Sequence, residues 1–199
     1  TPRHVGEAIA AVAAQTEDLA EQALSLVRVE YERLPAVFDP FEAMKEGSPL
    51  LHRTILFGQD EIQVKNNIAA SREIVEGDIE KGFKEAEIIF EETFETGRVY
   101  HAQMEPKSVV CQPEADGGIT VWTTTQTIHN VRQLLGEIFK IPLSRVNVKK
   151  VALGGSFGSS IQMNSVVPIG VALALKARRP VKLVSSREED MYDHCKYPS

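Results

Sequence analysis

The residue types best suited to chemistry gather in Gly154-Gly155-Ser156-Phe157-Gly158-Ser159-Ser160, where three glycines and three serines surround one phenylalanine. Glycine accepts positive φ and lets backbone approach a ligand closely. The serines, and the free N–H groups of a helix start behind them, offer donors to an anionic or oxo group. A large apolar ring in such a loop either fills a core or touches a ligand. The same residues also suit a tight connection with no ligand, because a short glycine motif is a weak signal by itself. Gln126 lies in Thr123-Thr124-Thr125-Gln126-Thr127, where a β-rich segment gives way to a helical one. Its amide can donate and accept there, at a strand end that often carries ligand groups, or it can simply cap a turn. His101 and Glu105 have the i, i+4 spacing of a metal half-site if they share a helix. Pro106 argues against that helix, and Glu105 reads better as a buried carboxylate holding nearby backbone. No second His/Cys cluster lies close by, so a metal held by protein ligands is not expected. His129 reads as polar surface, and Arg187-Glu188-Glu189-Asp190 as a solvated first helical turn. No nucleophilic triad is visible, and neither a Walker Gly-Lys-Ser/Thr nor a Gly-x-Gly-x-x-Gly fingerprint occurs at the loop.

Several elements must position these residues. Val146–Leu153 reads as the strand entering the glycine loop, and the apolar run Ile161–Ala177 as a helix leaving it, with Pro168 and Gly170 as possible kinks. Ser108–Gln112 and Ile119–Thr124 flank Glu114-Ala115-Asp116-Gly117-Gly118, a hairpin-turn composition. Ile128, Val131, Leu134, Leu135 and Ile138 mark one face of a helix over Ile128–Phe139, closed by Pro142. Val181–Val184 reads as a buried strand. Upstream, Ala8–Ala14 and Arg28–Glu32 read as strands around a helix capped by Thr16. Asp39-Pro40 has the chemistry of a helix start. Ser71–Val75 and the alternating Ile88–Thr96 read as further strands, with Gly77-Asp78 capping a short helix over Ile79–Glu85. Residues 52–67 show few apolar positions and read as a linker.

The 199 residues carry a formal net charge of −6. That argues against a nucleic-acid-binding surface, which needs clustered basic residues. No apolar run reaches membrane-span length. Cys111 and Cys195 lack metal-like spacing and read as reduced thiols of a cytoplasmic protein. The absence of an initiator Met and the ending just after a helix start suggest a segment of a longer chain.

In order along the chain, these stretches resemble the large, molybdenum-binding subunit of the xanthine dehydrogenase/aldehyde oxidase family. Val5–Val12, the following helix and Val29–Val37 resemble the later part of its α/β hammerhead domain. Gly77-Asp78-Ile79, Tyr100–Pro106, Thr124-Thr125-Gln126, Gly154–Gly158, Pro180–Val184 and Arg187–Met191 resemble the opening of its molybdopterin-binding domain. The resemblance implies an α+β fold, with a partial hammerhead domain over 1–55, a linker over 56–67, and the first part of the molybdopterin-binding domain over 68–199.

It also implies an oxidoreductase that hydroxylates an aldehyde or N-heterocycle, with water as oxygen source. Molybdenum is then held by molybdopterin rather than by side chains, and [2Fe-2S] and FAD sit in partner subunits or domains. Matched by motif, Gln126 would hydrogen-bond an oxo ligand of the molybdenum. Gly155, Ser156, Phe157 and Gly158 would line the cofactor through backbone N–H groups, with Gln126 and Phe157 nearest the metal. Expected partners are a small-molecule substrate, iron–sulfur and flavin subunits, and the rest of the polypeptide in an oligomeric enzyme; nucleic acid and a membrane span are not expected. The general-base glutamate is expected beyond Ser199, so the segment alone should be inactive. Ile161 stands where purine-oxidising members carry a substrate-contacting glutamate, Ser156 replaces a loop glycine, and Ser159-Ser160 replace a Gly-Lys pair. Purine is therefore not the expected substrate. The competing reading is a non-catalytic α/β binding or assembly module with a structural glycine loop.

Overall fold

The computed structural model describes residues 1–57, 60–193 and 197–198, and the chain divides into two compact units, residues 29–95 and residues 1–28 with 96–199. Helix α1 (Glu17–Leu24) starts where the sequence places a cap, Thr16 Oγ1 accepting the Leu19 N–H at 3.3 Å. Residues 8–14 and 28–32, expected as strands on either side, carry no strand. Alternation marks a face, but a strand needs a neighbour to take its hydrogen bonds, and no described residue pairs with these segments.

Within residues 29–95, Asp39 caps the one-turn helix α2 (Pro40–Ala43), accepting from Glu42 N at 2.8 Å with Pro40 in the first turn. Strands β1 (Thr54–Phe57) and β2 (Asp60–Gln63) pair antiparallel, so part of the stretch expected as a linker is a hairpin. Asn67, at φ 56°, donates to Ala43 O and Pro49 O and accepts from Leu51 N, tying this segment together with one amide. Asp78 caps α3 (Ile79–Glu85) over the bounds the sequence predicts. The expected strands at 71–75 and 88–96 do not form; Ile88, Phe90 and Phe94 are exposed and belong to no strand.

In the other unit, β3 (Arg98–Val99) pairs with the short β8 (Tyr197–Pro198). The main sheet contains β4 (Ser108–Pro113), β5 (Ile119–Thr123), β6 (Val146–Lys150) and β7 (Val181–Val184), in the order β6-β5-β4-β7. Pair β5–β6 is parallel; the other two pairs are antiparallel. Helices α4 (Ile128–Phe139) and α5 (Val166–Ala177) contribute Val131, Leu135, Val167, Val171 and Ala174 to one core with Val109, Cys111, Ile119, Val121 and Val146 of the sheet. A final helix, α6 (Arg187–Asp193), follows β7.

Two expectations shift in this unit. The helix leaving the loop starts at Val166, not Ile161. Pro168 explains the boundary. In the first turn its missing N–H costs nothing, whereas one turn further in its ring would clash with the carbonyl four residues back. Gly170 allows a close contact: a Cβ there would sit 2.6 Å from Val109 Cγ1 and 3.2 Å from Cys111 Sγ. Strand β6 ends at Lys150, three residues before its expected end.

The sheet's register decides what stands at its edge. Thr123 of β5 pairs with Lys150 of β6, and both chains leave the sheet in the same direction. The antiparallel β4 enters at that edge, since Val109 faces Thr123, and β7 leaves there, since Val184 faces Ser108. Segments 100–107, 124–127, 151–160 and 185–190 are therefore brought to one edge by pairing alone.

Candidate cofactor site

Gln126 and the glycine loop meet at this edge. The Ser156 hydroxyl donates to Gln126 Oε1 at 2.7 Å, and Ser160 N–H reaches the same oxygen at 3.3 Å. Gln126 N–H in turn donates to Ser160 O at 3.0 Å. Thr125 and Thr127 add hydroxyl bonds to Ser160 O and Ile161 O at 3.3 and 2.6 Å. The backbone N–H of Ser160 can only donate, so it fixes which end of the Gln126 amide faces the loop. Oε1 points inward, and the Nε2 group of this exposed residue remains as a donor.

Gly155 (φ 101°), Phe157 (φ 52°) and Gly158 (φ 96°) lie in the left-handed region. Two of the three are glycine, which carries no penalty there; Phe157 carries one. Among the described residues, the N–H groups of Gly155, Ser156, Phe157 and Gly158 have no protein acceptor, whereas those of Ser159, Ser160 and Ile161 are bonded. Phe157 is 74% exposed, so its ring fills no core. The buried Thr124 hydroxyl also lacks a partner.

The expectation of no Gly-x-Ser-x-Gly elbow is corrected by the loop itself, since Gly154-x-Ser156-x-Gly158 has the spacing of a hydrolase nucleophile turn. That turn presents its serine outward, with a histidine as base. Here Ser156 is buried, and its hydroxyl contacts are Gln126, Ser159 and Ser160.

His101 and Glu105 do not share a helix; residues 101–106 are irregular. Glu105 holds backbone as expected, though half-buried rather than buried: Oε2 accepts Gly154 N–H at 2.6 Å, and its own N–H donates to Gly154 O at 3.2 Å. His101 lies beside Gly158, whose added Cβ would be 3.8 Å from Nε2. No group of three His, Cys, Asp or Glu side chains comes together among the described residues.

Behind the loop lies a polar network that sequence reasoning missed. Lys107 is 1% exposed, with Nζ at 2.7 Å from Ser159 Oγ and 2.5 Å from Ser160 Oγ. Gln103 bonds Asp190 Oδ2 at 2.7 Å and the Tyr100 hydroxyl at 3.1 Å, and Tyr100 donates to Asp190. Arg187 bridges Asp190, Tyr100 and the carbonyls of Gln103 and Met104. The expected solvated charge run is thus corrected: Asp190 is fully buried, because its i, i+3 spacing to Arg187 turns both toward this network. Burial and the neighbouring Asp190 carboxylate push the Tyr100 phenol up. The expectations on Cys195 and Ser199 lie outside the described residues.

Comparison with known proteins places this arrangement. Residues 60–197 match the family described as "Molybdopterin cofactor-binding domain", and residues 1–35 match "Aldehyde oxidase and xanthine dehydrogenase, a/b hammerhead domain". The fold is that of a molybdopterin cofactor-binding domain. The chain belongs to the xanthine dehydrogenase/aldehyde oxidase family. It is 39% identical to a probable xanthine dehydrogenase subunit of Bacillus subtilis (strain 168), over 95% of this chain and 24% of that one. It is 34% identical to the nicotinate dehydrogenase large molybdopterin subunit of Eubacterium barkeri, over 98% and 45%. A reconstituted CO dehydrogenase from Oligotropha carboxidovorans superposes with TM-score 0.81 at 29% identity, over 93% of this chain and 24% of that chain. The chain thus spans between about a quarter and a half of these relatives. No described helix is long and apolar enough to cross a membrane.

The residues present fit the family's cofactor. Four consecutive loop N–H groups, the Thr124 hydroxyl and the outward Gln126 amide are unspent donors on one sheet edge. N–H groups without a protein acceptor on this partly exposed loop are open to water or to a ligand.

Proposed function

We propose that this chain is the part of a molybdenum hydroxylase that receives the molybdopterin cofactor, in an enzyme that hydroxylates an aldehyde or N-heterocycle with oxygen from water. The observation that carries the proposal is the convergence of Gln126 with four loop N–H groups that have no acceptor among the described residues. When bound, the molybdenum cofactor supplies the two-electron oxidation. The protein supplies preorganised donors, whose orientation is set before any substrate arrives. Gln126 directs Nε2–H outward because Oε1 is held by Ser156 and Ser160. Gly155, Ser156, Phe157 and Gly158 would hold the cofactor through their N–H groups, and Gln126 and Phe157 would be the side chains nearest the metal. The exposed Phe157 ring offers an apolar wall.

Ile161, 43% exposed, presents no charge to a polar purine. An aldehyde or a less polar N-heterocycle suits it better. We place the hammerhead part at 1–55, the join at 56–67 and the cofactor-binding part from 68 onward. The catalytic base, the iron–sulfur and flavin centres and the oligomer contacts belong to the remainder of a cytoplasmic enzyme.

The test is molybdenum analysis of the full-length subunit in its complex, with turnover of aldehydes and N-heterocycles in ¹⁸O-water. Molybdenum near one per subunit and labelled product are expected. A folded complex with neither metal nor turnover overturns the proposal.

A further inference from the structure

Lysine is among the residues least often fully buried, and a buried ammonium normally faces a carboxylate. Lys107 departs from this. It is 1% exposed, and its ammonium bonds two neutral hydroxyls, Ser159 Oγ and Ser160 Oγ. Burial pushes its pKa down, while the nearby Asp190 and Glu105 carboxylates oppose that shift. Placing a cation on neutral partners is costly in desolvation. An apolar side chain of similar length would fill the same space without that cost, so packing does not account for a lysine here.

Its position does. Lys107 immediately precedes β4, and its carbonyl accepts Ser185 N–H at 2.9 Å, which locks its backbone to the end of β7. From this fixed point the ammonium holds two adjacent loop residues. Ser160 N–H bonds Ser156 Oγ at 3.0 Å and Gln126 Oε1 at 3.3 Å. Ser159 Oγ lies 3.4 Å from Gln103 Oε1, on the way to Asp190. Two of the contacts that set Gln126, Ser160 N–H to its Oε1 and its own N–H to Ser160 O, run through a residue that Lys107 holds.

We propose that Lys107 is the positioning residue of the cofactor loop, its ammonium holding Ser159 and Ser160 so that Gln126 and the loop N–H groups are set to receive the cofactor. This rests on the cofactor reading above. Lys107 touches neither cofactor nor substrate in this scheme; it acts through the two serines.

The test uses the full-length subunit in its complex, with Lys107→Met, which keeps length but removes the donors, and Ser159→Ala/Ser160→Ala, which removes the acceptors but keeps the lysine. Hydrogen exchange of residues 154–161 in cofactor-free protein should quicken in both, on the order of 10–100-fold, as expected for losing a charge-assisted bond. Molybdenum per folded subunit should fall, and in the loaded fraction kcat should fall with KM little changed. A role in packing alone would lower thermal stability but leave loop exchange, metal content and the kcat-to-KM split unaltered, and that result overturns the proposal. If Lys107→Met does not fold, the serine pair decides it. If wild-type protein carries no molybdenum, the cofactor reading fails, and the exchange measurement still judges the hold of Lys107 on the loop.

Discussion

The Ser156 hydroxyl donates to Gln126 Oε1 across 2.7 Å, joining a residue after β5 to one after the neighbouring parallel strand β6, thirty positions later. The bond consumes the acceptor end of the amide and leaves the donor end for a ligand. Gln126→Ala in the full enzyme should therefore lower kcat on the order of 10–1000-fold, the range for losing one preorganised donor. Ser156→Ala should act through Gln126, with a smaller loss of roughly tenfold, about the worth of one hydrogen bond. The double variant should be no slower than Gln126→Ala alone. Steady-state kinetics of the three variants checks this, and additive losses would show that Ser156 acts separately.

Thr124 offers a cleaner separation of folding from binding. Its buried hydroxyl has no partner in the described protein. Thr124→Val should leave urea stability of the cofactor-free protein unchanged or raised by up to about 1 kcal/mol, since a desolvated hydroxyl is removed without breaking a bond. A loss of more than about 1 kcal/mol in equilibrium unfolding would mean that the hydroxyl is bonded in the folded protein.

Gly170 should tolerate no side chain. Gly170→Ala would place a methyl 2.6 Å from Val109 Cγ1. The expected cost is about 1–3 kcal/mol from overpacking, despite the gain in helix propensity. Chemical denaturation measures it, and stabilisation would show that α5 can move away from β4.

Cys111 links stability to pH. Burial raises its thiol from 9.0 to about 12. Between those values the unfolded thiol ionises while the folded one stays neutral, so the unfolded state binds fewer protons and stability falls as pH rises. The contribution is complete below about pH 9 and lost by about pH 12. Denaturation of wild type and Cys111→Ala from pH 8 to 11 should show a steeper decline in wild type. At pH 8 the Cys111 peptide should also escape alkylation in the native protein, by peptide mapping.

Where local chemistry decides structure, the sequence is readable. Thr16, Asp39 and Asp78 cap the helices their neighbours predict, and α4 runs over its expected residues. The apolar run at 8–14, the segment 71–75 and the alternation at 88–96 point to strands that do not form, because a pattern of side chains does not supply a partner. In the site, glycine and glutamine types mark Gln126 and the loop. Lys107, Gln103 and Asp190 stay hidden because each is an ordinary polar residue until register brings it inside. Asp190 in particular sits in a charge run whose composition suggests solvent, and only its contact with Tyr100, ninety residues earlier, shows otherwise.

That separation has a consequence for biosynthesis. The contacts that shape the edge join residues 30, 49, 52 and 87 positions apart. No early fragment of the nascent chain can make them, and loop closure over such spans is slow relative to local helix formation. The β4–β5 hairpin and α4 can form while the ribosome is still translating β7 and α6. The edge is complete only after Asp190 has emerged, so whatever binds there must arrive after α6 has been made.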